Sequence, residues 1–313
     1  MTTPTKTVAV LMGGWSAERP VSLVSGKEVA DALEQAGYTV RRVDVVRDAG
    51  ALIHSLTPAP DVVFNALHGH GGEDGCVQGL LEMLRIPYTH SGVLPSAVAM
   101  DKPMTKRLLG EVGVPSPEGI TMPAGDLTSA SLPFAAPYVV KPAAEGSSVG
   151  VHIVRPGDNR PIAEEWAVEL PLLVEEYIPG RELTVGVRGF AGEPGEAMAV
   201  TEIRPREGFY DYEAKYTDGR AVHDVPANIP AEVAAEAMRL AVLAHDTLGC
   251  SGVTRSDFRW DDTRPGVTGL YFLEINTQPG MTPLSLVPEQ AAYLGIPFTE
   301  LVSWLVEGAR CHG

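Results

Sequence analysis

Glu274 and Asn276 sit in the stretch from Tyr271 to Leu286, YFLEINTQPGMTPLSL. Alternation along a strand predicts Tyr271, Leu273 and Ile275 on one face and Phe272, Glu274 and Asn276 on the other. A carboxylate and an amide oxygen then stand side by side, the hard-oxygen ligation that Mg²⁺ prefers. Gln278, Pro279 and Gly280 follow, where the chain turns and a backbone N–H can come close to a ligand. Just upstream, Gly252 to Trp260 reads GVTRSDFRW, with Arg255, Asp257 and Arg259 on one face. The turn-rich segment Asp261 to Gly269 reverses the chain between the two strands. Pairing them sets Asp257 beside Glu274 and Asn276 as a third oxygen ligand, with Arg255 one step along. Asp257 or Glu274 alone reads as a solvated acidic face. The combination points to a metal–phosphate site.

Other elements must position this hairpin. The 313-residue chain, 44% hydrophobic and 20% charged, has the composition of a soluble globular protein of about two or three domains. A net charge of −16 excludes a broad nucleic-acid surface or an anionic membrane as partner. An anionic small substrate needs a local basic pocket, and lysine is scarce: Lys6, Lys27, Lys102, Lys106, Lys141 and Lys215. Cys76, Cys250 and Cys311 lack any CxxC spacing and suit a reduced, cytoplasmic compartment, with Cys76 and Cys250 as small core residues. The early apolar run Val8 to Met12 is too short for a signal peptide or membrane span.

Thr7 to Met12 reads as a buried strand, followed by Gly13–Gly14, a helix from about Ala17 to Gln35, and strands at Thr39 to Val45 and Asp61 to Leu67. This βαβ pattern predicts a parallel sheet with helices on both sides for residues 1–97. It is not a dinucleotide site, because Gly-x-Gly-x-x-Gly does not follow the first strand. Glu18 falls in the first helical turn, at the sheet edge where such folds place ligands. In His68-Gly-His-Gly-Gly-Glu-Asp-Gly75, His68 is the better ligand candidate and His70 reads as a solvated loop residue; zinc-motif spacing is absent.

A joint near residue 97 precedes a helix at MDKPMTKRLL. Pro133 to Val140 leads a strand into Lys141, a Gly/Ser loop and a second strand, Val151 to Arg155, a hairpin tip able to close over a nucleotide. No Gly-x₄-Gly-Lys-Ser/Thr is present, which disfavours a Walker-type ATPase. Leu172 to Ile178 is a strand ending in Glu175–Glu176, able to reach an adenine amino group and a ribose hydroxyl, or simply a polar edge. Glu207 to Thr217 is an aromatic-rich loop carrying Lys215 and Tyr216. Pro230 to Leu248 is a core helix, and Gly295 to Gly308 is a closing one.

GGWSAERPVSLVSG, HGHGGEDG, MDKPMTKRLL, VKPAAEGSSVGV, VEEYIPGRELTV, YDYEAKY, TRSDF and LEINTQPGMTPLSLVP occur here in that order. Together they resemble the D-alanine–D-alanine ligases of the ATP-grasp superfamily across essentially the whole chain. The resemblance implies an α/β fold, α+β in the ATP-binding part, with three domains: a Rossmann-like 1–97, a central lid 98–183 and a catalytic, metal-binding 184–313. It implies ATP-dependent joining of two D-alanines through a D-alanyl phosphate, with two Mg²⁺ or Mn²⁺ ions held by Asp257, Glu274 and Asn276. Lys102, Lys141 and Lys215 would contact phosphates. Glu175 and the backbone of Tyr177 and Ile178 would bind the adenine and Glu182 the ribose, with Glu176 and Phe209 also ATP-binding. Glu18 would take the ammonium of the first D-alanine, with His68 near its carboxylate and with Ser147 and Tyr216 bonded to Glu18. Arg255 and the Gly280 N–H would stabilise the oxyanion. Ser285 and the Leu286 N–H would hold the second D-alanine. A cytoplasmic homodimer is the family expectation. Trp15, Ala143–Ala144, and Thr254 and Ser256 depart from the usual pattern without removing a catalytic group. Tyr216 favours D-alanine over D-lactate as second substrate; ligases adding D-serine or D-lactate, and a non-catalytic nucleotide-binding regulator, are the rivals.

Overall fold

Thr7–Gly13 (β1) is apolar at nearly every position, as a strand covered on both faces must be. In the computed structural model, which describes residues 6–146, 150–160, 166–205, 221–282 and 284–313, it is the centre of a parallel three-stranded sheet. Thr39–Val45 (β2) and Val62–Asn65 (β3) flank it in the order β2-β1-β3. Val8, Val10 and Met12 pack against Val29 and Leu33 of helix α1 (Arg19–Gln35). Ala9 and Leu11 point the opposite way, toward Leu52 of α2 (Ala49–Ser55) and Leu81 of α3 (Cys76–Leu84). Helices therefore cover both sides, as the βαβ pattern predicts. The last helix, Phe298–Glu307, returns to this sheet and sets Leu301 and Leu305 into the core beside α1.

After α4 (Val93–Met100), Asp101 starts α5 (Lys102–Glu111) by accepting the Met104 N–H at 2.9 Å, with Pro103 in the first turn. A four-stranded antiparallel sheet follows, in the order β4-β7-β5-β6: Gly119–Pro123 (β4), Tyr138–Pro142 (β5), His152–Val154 (β6) and Pro171–Glu176 (β7). The hairpin β5–β6 is present as expected, with its first strand starting later than Pro133.

The third sheet is antiparallel and five-stranded: Arg181–Gly189 (β8), Glu196–Pro205 (β9), Ala221–Asp224 (β10), Gly252–Trp260 (β11) and Leu270–Asn276 (β12), in the order β10-β9-β8-β11-β12. Leu183, Val185, Phe258 and Trp260 face the helix Ala231–Leu248, which supplies Val233, Ala237, Leu240 and Ala244. On the other face, the buried Gln290 of the helix Leu286–Tyr293 donates to Thr201 Oγ1 at 2.9 Å and accepts the Gly186 N–H at 2.7 Å. The positions 97/98 and 183/184, expected as domain divisions, fall inside α4 and β8.

Two expectations are corrected. Cys76 is exposed, because the first position of α3 points outward while Val77, Gln78 and Leu81 point in; Cys250 is buried as expected. The strict alternation assigned to β12 also fails. Asp257 pairs with Glu274 but Phe258 pairs with Phe272, which leaves Leu273 as an extra residue in a β-bulge. Phe272 and Ile275 consequently share the core face, and Glu274 and Asn276 share the opposite face with Tyr271.

Candidate active site

The bulge decides where the carboxylates go. In regular alternation Glu274 lies on the face of Phe272, which is packed edge-to-face on Phe258 with ring centroids 5.7 Å apart. The extra residue reverses the phase and turns Glu274 and Asn276 out of the core, onto the face of Arg255 and Asp257. Arg255 pairs with Asp257 through two bonds of 2.9 and 2.8 Å, and Thr184 of β8 donates to the same carboxylate at 2.6 Å. Lys102 lies 3.3 Å from Glu274. Each carboxylate is thus held by a basic side chain, one from its own strand and one from α5. The Asn276 side-chain oxygen accepts the Gln278 N–H at 2.7 Å, which closes the turn leading to Gly280.

An open cleft runs between the four-stranded sheet and β11–β12. It brings together Lys102, Lys141, Glu175, Glu176, Tyr177, Ile178 and Glu182, with Asp257 and Glu274 at one end. Glu175 is buried and takes Lys106 on one oxygen and Lys141 on the other, whereas Glu176 is exposed at the strand end. Burial alone raises a carboxyl; here Lys141 and Lys106 outweigh it and hold Glu175 below the ordinary glutamate value. Burial brings Lys106 down to about 8, against the raising effect of Glu175. Arg259 donates to Ile178 O at 3.1 Å and to Gly180 O at 2.8 Å, which fixes the segment after β7. Its other nitrogen lies 3.6 Å from Glu182.

A second, smaller cleft is lined by Glu18, His68, Glu73, Arg255, Asn276 and Gly280, among others. Glu18 is buried and immediately precedes α1, not in its first turn; its side chain leaves the helix uncapped and faces this cleft. Ser16 couples the two loops beneath it, donating to His68 O at 2.7 Å and accepting the Glu18 N–H at 3.2 Å. His68 lies 3.2 Å from Ser25 Oγ, and burial lowers its pKa despite the nearby Glu18. The buried Gln278 is locked by Asn65, whose side chain donates to it at 2.8 Å, and it donates in turn to Leu67 O. This holds the Gly280 turn against β3. Ser285 Oγ accepts the Thr282 N–H at 2.9 Å and sits just before the helix whose first residue is Leu286. The two clefts meet: Lys102, Glu145, Gly146 and Glu274 line both.

Ser147, Phe209, Lys215 and Tyr216 lie outside the described residues. Sequence reasoning passed over Lys106, Glu73, Glu145 and Thr184. The signal for Lys106 was there, since it follows Lys102 by one helical turn on one face of α5. Glu73, next to Asp74 in a glycine loop, gives none. His70, expected to be solvated, is half-exposed but spans two loops, 3.5 Å from Asp74 and 3.2 Å from Glu145. Two departures from the family pattern have structural partners. Trp15 lies where a Cβ on Gly71 would come within 2.0 Å of its ring, and Thr254 Oγ1 meets the buried His245 at 2.9 Å.

A cleft between two antiparallel sheets, with lysines along it and a carboxylate pair, defines a protein of ATP-grasp fold. Comparison with known proteins narrows this. The family model described as D-ala D-ala ligase C-terminus matches residues 122–307, and that of the N-terminus matches 49–91. The chain is 55% identical over 310 residues to the D-alanine–D-alanine ligase of Parvibaculum lavamentivorans, covering 98% of each. It is 54% identical over 309 residues to that of Acidiphilium cryptum, covering 98% of this chain and 99% of the other. The crystal structure of the Bacillus anthracis ligase complexed with ATP superposes with a TM-score of 0.78 at 32% identity, covering 98% of this chain and 97% of that one. The chain belongs to the D-alanine–D-alanine ligase family. Among the described residues no helix is long and apolar enough to cross a membrane.

Proposed function

We propose that this protein joins two D-alanines into D-alanyl-D-alanine, converting ATP to ADP and phosphate, for peptidoglycan synthesis. The observation that carries this reading is the meeting of the two clefts at Lys102 and Glu274. A nucleotide in the larger cleft and an amino acid in the smaller one then present their reacting ends to each other.

In this reading Glu175 and the backbone of Tyr177 and Ile178 bind the adenine, Glu182 binds the ribose, Glu176 and Phe209 also take part in binding ATP, and Lys102, Lys141 and Lys215 contact phosphates. Glu175 also holds Lys141 in place. Glu18 takes the ammonium of the first D-alanine and His68 lies near its carboxylate, with Ser147 and Tyr216 joining Glu18. A carboxylate oxygen of that D-alanine attacks the γ-phosphorus, forming an acyl phosphate and releasing ADP. Positioning and charge neutralisation do most of the work in such a transfer. The amine of the second D-alanine, held by Ser285 and the Leu286 N–H, attacks the acyl carbon. Arg255 and the Gly280 N–H receive the oxyanion of the tetrahedral intermediate. The C–O bond to phosphate then breaks and the dipeptide leaves.

Asp257, Glu274 and Asn276 fit a pair of Mg²⁺ or Mn²⁺ ions, being hard oxygen donors on one face with Asp257 directly opposite Glu274. Bound there, such ions would neutralise phosphate charge. Division into 1–97, 98–183 and 184–313, a homodimeric state, a cytoplasmic location and the absence of nucleic-acid or membrane partners complete the proposal. Mass spectrometry of products from ATP, Mg²⁺ and D-alanine, beside L-alanine, tests it. A dipeptide and ADP from D-alanine alone are expected. Unconsumed ATP contradicts a ligase, and ADP without dipeptide points to D-serine or D-lactate as second substrate.

A further inference from the structure

His70 lines neither cleft, yet it stands between two loops that bound them. Its own loop gives it a fixed base. Glu73 accepts the Gly69 N–H at 2.9 Å and Asp74 accepts the Gly71 N–H at 2.7 Å, so the residues on both sides of His70 are pinned. Gly71 lies against the ring of Trp15, where no side chain would fit. From this base the imidazole faces Asp74 at 3.5 Å on one nitrogen and Glu145 at 3.2 Å on the other. Glu145 belongs to a separate element, the loop after β5.

That loop is a wall shared by the two clefts, since Glu145 and Gly146 line both. Its placement is close: a Cβ on Gly146 would lie 2.6 Å from a Glu18 oxygen. Two side chains from other elements grip it. Lys102 Nζ donates to Glu145 O, and His70 faces the Glu145 carboxylate. Lys102 also lies 3.3 Å from Glu274 and is assigned to a phosphate, so a nucleotide competes for its grip. His70 has no such second duty.

We propose that His70 is a positioning residue, a clasp that sets the shared wall at Glu145 and Gly146 before either substrate arrives. The inference rests on the reading of the larger cleft as the nucleotide site and the smaller as the amino-acid site. A wall already in place spares both ligands the free energy of placing it. Without the clasp, the first ligand to bind bears that cost and the second does not. Loss of His70 therefore weakens each ligand bound alone and makes the two bind cooperatively. A residue that touched one ligand would instead weaken that ligand in every state. Because both side chains are half-exposed, the contact adds little to the stability of the fold.

The test is the dissociation constant of a non-hydrolysable ATP analogue with Mg²⁺, measured on the full chain with and without saturating D-alanine. Without D-alanine, His70→Ala should weaken the analogue about two- to fivefold, the range for one partly exposed ion pair. Saturating D-alanine should restore most of that loss. His70→Arg, which keeps a cation in reach of Glu145, should stay near the wild type. Glu145→Ala should show the same pattern as His70→Ala, which decides the matter if the latter does not fold. The double variant should lose no more than either single one. Unchanged affinity in both single variants, a loss that D-alanine leaves in full, or additive losses overturn the clasp. Where the wild type still forms dipeptide, those results leave the ligase reading intact; a wild type that forms none overturns both.

Discussion

Asp257 stands directly opposite Glu274 in the β11–β12 ladder, and the register slips at the next step. The slip is what makes the pair. With Leu273 absorbed as an extra residue, Phe272 and Ile275 stay in the core while Glu274 turns toward Lys102 and the clefts. Glu274→Ala should therefore fold and lose its metal-dependent turnover. A Mg²⁺ titration of activity checks this; a curve like that of the wild type contradicts the metal role of Glu274.

Arg255 is held by both oxygens of Asp257 and lines the smaller cleft, so its guanidinium is already oriented for the oxyanion role proposed for it. Arg255→Ala should lower turnover by roughly 10²–10³, the scale for removing one oxyanion donor. Steady-state kinetics at saturating ATP and D-alanine checks it. Turnover near that of the wild type contradicts the assignment.

Lys106 shares Glu175 with Lys141 and titrates at about 8, where burial has brought it. The sign follows from the charged form: below pH 8 Lys106 is positive, and above it Glu175, which lines the larger cleft, loses one of its two cationic partners. KM for ATP should rise as pH passes 8, with kcat less affected. Lys106→Met should show a KM about tenfold higher even at pH 7, corresponding to roughly 1.4 kcal/mol. An unchanged KM in Lys106→Met, or a wild-type KM flat from pH 7 to 9, contradicts this role.

A Cβ on Gly280 would come within 2.8 Å of Ser285 Oγ. Gly280→Ala should displace Ser285, the residue proposed to hold the second D-alanine. The apparent KM for D-alanine at that site should rise several-fold, with little change in the KM for ATP. Equal effects on both substrates count against the pairing of Gly280 with Ser285.

Much of this site can be read from local sequence, because the groups that matter are neighbours on strands. Arg255-x-Asp257 and Glu274-x-Asn276 need only alternation and a turn between them, and β11 has the expected bounds, Gly252–Trp260. Alternation could not foresee the bulge, since nothing about Leu273 distinguishes it from a paired residue. The correct face for Glu274 came with a wrong neighbour, Phe272. The buried group Lys106, Glu175 and Lys141 joins α5 to two strands, and such contacts leave no period in the chain. The return of the last helix to α1 likewise depends on packing between the two ends of the chain. The lock of Asn65 on Gln278 depends on residues 213 positions apart.

The most direct measurement follows the oxygen atoms. D-alanine labelled with ¹⁸O in its carboxylate is incubated with the full chain, ATP and Mg²⁺, and the released phosphate is analysed by mass spectrometry. Attack of the carboxylate on the γ-phosphorus predicts one ¹⁸O in the phosphate for each dipeptide formed. Dipeptide accompanied by unlabelled phosphate would contradict an acyl phosphate, and with it the account of how the two clefts work together.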